Sequence, residues 1–177
     1  MVFLPDLEDV KKHLNITTTD QDDELSGIVY AASTAIEKRV GPLEPTTVTA
    51  TVVSDGWSLI LPVVPVLSLT TVVPQYGSDI GASGFFLGGA AGVATPLPGT
   101  ALHYGVYTVT YEAGYDYPPD DLMLAIYEMV RHLWKPQRGA AARPGSPDMA
   151  TNPGYLIPNM VAELIEPYLI STVAGFA

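Results

Sequence analysis

At 177 residues, 47% apolar and 15% charged, the chain is long enough for one domain with a core and too apolar to be disordered throughout. It has no cysteine, which excludes disulfides, thiolate catalysis and cysteine-based zinc sites. Its formal charge is −11, and no Lys or Arg lies between Arg39 and Arg131. The middle of the chain therefore cannot supply the clustered cations that tight nucleic-acid wrapping needs.

The opening, MVFLPDLEDVKKHL, has no basic leader and no long apolar run, so it is not expected to be a signal peptide. A helix is predicted over residues 5–15. Pro5 and Asp6 signal its start, Leu7, Val10 and Leu14 share one face, and Asn15 is a stop. A second helix is predicted over 20–40, with Thr19 or Asp20 as cap. Leu25, Ile28, Val29, Ala32, Ile36 and Val40 form its apolar stripe, and Gly41-Pro42 end it.

The period then changes from helical to two, and an antiparallel β lobe is predicted over 46–112. TTVTATVV (46–53) reads as a strand. Asp55-Gly56 is a two-residue hairpin signal leading into WSLIL (57–61), and VLSLTTVV (66–73) is a third strand ended by Pro74 at a sheet edge. The least polar window, LILPVVPVLSLTTVVP, is broken by prolines and falls short of the roughly 18 apolar residues of a membrane span. Residues 77–101 read as a long loop or flap, with Phe85–Leu87 as a short edge strand. A strand over 104–112 precedes the turn Gly-Tyr-Asp-Tyr-Pro-Pro.

A third helix is predicted over 119–135, with Pro119 in its first turn and Pro136 ending it. Leu122, Ile126, Met129, Val130 and Leu133 form its stripe. Residues 138–154 read as a flexible linker, and 155–177 as a C-terminal helix and tail that dock on a partner. The class is α+β: a small helical bundle with an inserted antiparallel β lobe, a C-terminal linker and a docking helix.

No motif for catalysis stands out, and no catalytic, cofactor-binding or metal-binding residue is expected. His13, His103 and His132 have no second His at ligand spacing, and His13 and His132 read as surface residues at helix ends. Asp22-Asp23-Glu24 and Asp120-Asp121 fall in first helical turns, where carboxylates cap. GASGFFLGGAAG lacks the Gly-Lys-Ser/Thr ending of a phosphate loop. Tyr107 and Tyr111 alternate on a half-buried strand, and Tyr115 and Tyr117 pin the turn that follows.

The ordered set LEDVKKHLNI, DDELSGIVYAASTAIEKRVG, LPVVPVLSLTTV and YTVTYEAGYDYPPDDLMLAIYEMVRHLWKPQRG resembles the head–tail connector (head-completion adaptor) proteins of long-tailed bacteriophages, over residues 4–138. The resemblance implies a virion protein at the capsid vertex, made in the host cytoplasm. It implies a ring, usually of twelve subunits, beneath the portal, extending the DNA channel and giving the neck or tail its docking surface. Implied partners are further copies of the chain, the portal and a downstream neck or tail protein, with DNA passing without specific binding. The C-terminal segment would reach the portal through Tyr155, Leu156, Ile157, Met160, Leu164, Ile165, Tyr168 and Phe176. Tyr115, Tyr117, Pro118, Pro119 and Asp120 are expected to fix the joint between lobe and bundle. The alternatives are another tail or neck ring component, such as a tail terminator or baseplate module, and a carbohydrate- or ligand-binding module using the tyrosines.

Overall fold

A computed structural model describes residues 3–138 and 157–169. Its contacts divide the chain into a helical unit, Val2–Arg39 with Pro118–Leu169, and a β unit centred on Val40–Tyr117. Helices and antiparallel sheets together give the α+β class that the sequence predicts.

The helical unit contains α1 (Leu7–Leu14), α2 (Asp22–Val40), α3 (Asp120–Arg138) and α4 (Asn159–Ile165). Asp6 caps α1 by accepting the Glu8 N–H at 2.8 Å, and Asn15 ends it in the left-handed conformation. The α2 stripe from Leu25 to Val40 is buried as its spacing predicts, and so are Leu122, Ile126, Met129 and Val130 of α3. Each large side chain removed from water in this way contributes roughly 1.5–3 kcal/mol before entropy is subtracted. The boundaries shift from the sequence reading by a few residues: α1 spans Leu7–Leu14 instead of 5–15, and α3 starts at Asp120 instead of 119. α2 opens at Asp22, and α3 runs past Pro136 to Arg138. At Pro136 the lost N–H bond and the crowding of the ring against the preceding turn fall close to the helix end, where few bonds follow to be disturbed.

Polar clips join these helices, and the sequence does not announce them. Lys11 is buried, and its Nζ lies 3.1 Å from Asp22 Oδ1 and 3.6 Å from Glu8 Oε1. The hydrogen bond to Asp22 outweighs desolvation and holds the Lys11 pKa above its usual value. Asp22 therefore serves as a partner for a buried cation. His13 does not simply face solvent: its Nε2 is 3.0 Å from Glu128 Oε1, and its ring stacks on Tyr127 at 5.4 Å.

Among the described residues the β unit has two three-stranded antiparallel sheets. The first has the order β1 (Thr46–Asp55), β6 (Tyr104–Ala113), β3 (Val66–Pro74). The second has the order β2 (Leu59–Ile60), β5 (Val93–Pro96), β4 (Phe85–Gly88). One core lies between them, built from Val52, Val72, Tyr107, Val109 and Tyr111 of the first sheet with Leu59, Phe85 and Ala94 of the second. The odd-numbered side chains from Tyr107 to Ala113 are buried, as the period of two requires.

Two expectations are corrected here. Asp55-Gly56 does turn the chain, with Asp55 Oδ1 accepting the Trp57 and Ser58 N–H groups at 2.8 and 2.9 Å. It does not close a hairpin, because β1 pairs along its whole length with β6 and β2 pairs with β5. Residues 77–101 are not one long loop. They form the β4–β5 pair, and a short 3₁₀ turn joins the two strands. Gly89 and Gly92 permit this. A Cβ at Gly89 would lie 2.6 Å from the Val66 carbonyl oxygen, and one at Gly92 would lie 2.8 Å from that of Leu61. The glycines read as loop signal in the sequence are the points where the second sheet packs closely on residues 61–66.

Two tyrosine hydroxyls complete the unit. Tyr111 Oη accepts the Val63 N–H at 3.0 Å, which fixes the proline-flanked segment over the core. Tyr107 Oη donates to the His103 carbonyl and accepts the His103 N–H, both at 3.1 Å. Burial pushes the Tyr111 hydroxyl above its usual pKa.

Candidate functional site

The turn at the exit of β6 is built around a residue the sequence reading passed over. Gly114 has φ of +124° and donates its N–H to the Pro65 carbonyl at 2.9 Å. A Cβ there would overlap the Glu44 carbonyl and lie 3.2 Å from that of Pro42. Only glycine allows the 42–44 segment to pass so close. The signal was present in the motif Tyr-Glu-Ala-Gly-Tyr, directly after a strand. Of the expected joint residues, Tyr115, Pro118 and Pro119 are half-buried, Asp120 is exposed, and Tyr117 is 89% exposed. Pro119 contributes its carbonyl, which accepts the Leu122 and Met123 N–H groups and opens α3.

The C-terminal candidates fall into three groups. Tyr155, Leu156 and Phe176 lie outside the described residues. Ile165 is buried on α4, which packs on α3 of the same chain, and Val161 is buried beside it. Tyr168 is half-buried and donates to Asp121 Oδ2 at 3.4 Å, tying the end of α4 to the start of α3. Met160 is half exposed, and Ile157 and Leu164 are half-buried.

Two further surfaces are well formed. On the helical unit a groove of about 470 Å³ has Ala35, Met129 and Ile157 in its lining, with Tyr30, Lys38 and Arg39. Lys11, Lys12 and Arg131 are each held by a carboxylate, whereas Lys38 and Arg39 have no acidic partner among the described residues. On the β unit, Trp57, Tyr76 and Tyr104 are each at least 80% exposed. The register places all three at one end of the first sheet. Asp55 is opposite Tyr104, and Gln75 donates its N–H to the Val106 carbonyl at 2.8 Å. The chain enters and leaves the unit at the other end of that sheet, where Thr46 and Val66 face Ala113. Asp55 carries the charge at this aromatic end. The Trp57 N–H, and then that of Ser58, hold its carboxyl below the usual range.

Among the described residues, no three His, Asp or Glu side chains gather as they would around a metal, and no helix is long and apolar enough to cross a membrane. The chain matches the head completion protein family over residues 4–169. It belongs to that family. The membership gives it a structural role at the neck, between head and tail. Its fold is shared with solved neck proteins. One is a chain in the neck of an empty GTA particle computed with C6 symmetry, with TM-score 0.64 and 20% identity, covering 97% of this chain and 92% of that one. Another is a chain in the neck of a native GTA particle computed with C12 symmetry, with TM-score 0.63 and 19% identity, covering 99% of this chain and 98% of that one. No curated protein matches the chain in sequence.

Proposed function

We propose that this head completion protein assembles into a ring of twelve copies between the portal and the neck or tail of a virion, and that DNA passes through the ring. The match to the head completion family over residues 4–169 carries this reading. The likeness to a neck chain in a particle computed with C12 symmetry supports the copy number. Charge supports the passage of DNA. Residues 40–117 contain Glu44, Asp55, Asp79, Glu112 and Asp116 and no Lys or Arg. Such a surface repels the phosphate backbone, so a lumen lined by it lets DNA slide without gripping it.

In this reading the C-terminal region docks on the portal through Ile157, Met160, Leu164 and the segment beyond Leu169. Burial of Ile165 against α3 gives that residue the task of holding the docking helix in place. Residues 115–120 act as the joint through which the two units are linked. Electron microscopy of the purified chain mixed with its portal tests the proposal. Rings stacked on portal particles are the expected outcome, and a chain that neither forms rings nor binds portal rules it out.

A further inference from the structure

A closed ring needs two different faces on each subunit that fit one another. In a chain of net charge −11, contact between copies works against general repulsion. The contact is therefore expected where unpaired cations on one copy meet an acid on the next. Of the cations whose side chains are described, Lys38 and Arg39 have no acidic partner. They stand beside a groove with an apolar floor. The β unit offers the complement: Asp55 at a sheet end with Trp57 and Tyr104, both exposed.

We infer that the groove of the helical unit receives the Trp57 turn of a second copy of this chain. Trp57 fills the apolar floor between Ala35 and Met129, and Asp55 faces Lys38 and Arg39. Four properties favour this occupant. The turn is rigid, because Asp55 Oδ1 holds the Trp57 and Ser58 N–H groups at 2.8 and 2.9 Å, so little ordering entropy is lost on docking. Its indole is a large apolar group already facing water. A guanidinium or ammonium beside an indole gains further attraction from the ring face. The fit is also head-to-tail, with different surfaces on the two copies, as a ring demands.

This contact rests on the ring reading above, and its test separates the two. The native chain has no cysteine, so introduced thiols are unique. Ala31 is exposed at the groove and Ser58 adjoins Trp57, so Ala31→Cys and Ser58→Cys should leave the fold intact and keep Asp55, Trp57, Lys38 and Arg39 in place. Full-length chain carrying both substitutions, mixed with its portal and treated with a short bismaleimide, should give a ladder of covalent oligomers on a denaturing gel. Each single variant should stay monomeric on the gel. An equimolar mixture of the two single variants should give dimers and nothing larger. Rings visible by electron microscopy without the ladder would overturn this contact and leave the ring reading standing. A double variant that, mixed with its portal, forms no rings, does not bind the portal and gives no ladder would overturn both. Reversing the charges with Lys38→Glu and Arg39→Glu supplies a second readout, an at least tenfold rise in the concentration needed for rings. An unchanged concentration would remove the role of the cations.

Discussion

The same atom, a single added methyl carbon, has opposite consequences in the two units. At Gly27 in α2 a Cβ would meet nothing within 4 Å, while at Gly114 in the β unit it would drive into the Glu44 carbonyl. The helical unit is built from stripes of side chains, and its backbone has room. The β unit has close backbone approaches at Gly89, Gly92 and Gly114, and these glycines are structural parts. Tolerance to substitution should therefore divide along the boundary between the units.

The largest expected effect is Gly114→Ala. Overlap with a carbonyl and a φ of +124° should together cost about 3 kcal/mol. Thermal melting followed by circular dichroism would show it, and an unchanged midpoint would end the contrast. Next is Tyr111→Phe, which leaves the Val63 N–H without its acceptor inside the β unit and should cost about 1–2 kcal/mol in denaturant titration. Gly27→Ala should change the sign. At an exposed mid-helix position it should stabilise by about 0.5–1 kcal/mol, and destabilisation there would mean that α2 is not as open as its geometry indicates.

The smallest effect is confined to extremes of pH. Asp79 Oδ1 accepts the Val72 and Gly81 N–H groups at 2.9 and 3.0 Å. The Gly81 bond and then the Val72 bond lower its pKa. The folded pKa lies below the unfolded one, so this stability is present above the ordinary value of 3.8 and is lost as pH falls further. Tyr111 works in the other direction. Its folded pKa is raised, so its contribution is present below the ordinary value of 10.0 and fades as pH climbs through the folded value. Asp79→Asn should flatten the acid limb of a stability–pH curve and leave the alkaline limb alone. A variant that retains the full acid limb would mean that the two N–H bonds do not set it.

This division also decides what could be read from the sequence. The stripes of α2 and α3 repeat at helical spacing, and every residue from Leu25 to Val40 named for that stripe is buried. Local caps at Asp6 and Asn15 were legible for the same reason, since their partners lie within one turn. Strand pairing was not legible. Asp55-Gly56 carries the local chemistry of a hairpin, yet β1 finds its partner in Tyr104–Ala113, beyond the whole second sheet. Phe85–Leu87 was legible as an edge strand, but its partner β5 was hidden, because Val93–Pro96 is short and holds Ala and Pro, residues depleted in strands. The site surfaces divide likewise. The acidity of the middle region was plain, but that Lys38 and Arg39 have no acidic partner among the described residues follows only from where the described carboxylates end up. Gly114 stood in view within a motif, and what gave it meaning was a carbonyl 70 residues earlier in the chain.

The position of β6 has a consequence for the order in which the molecule is made. It is the middle strand of its sheet, hydrogen-bonded to β1 on one side and β3 on the other, and among the described residues it is the last strand in the sequence. α3, on which α1 and α4 pack, follows at once. During synthesis, β1 and β3 thus wait as unpaired edges until residues 104–113 emerge, and α1 waits for residues 120–138. Both units should close late and nearly together, governed by contacts distant in sequence. A chain stopped at His103 is expected to show no slow-exchanging amides in β1 or β3, and protection there would show that the first sheet begins without its centre.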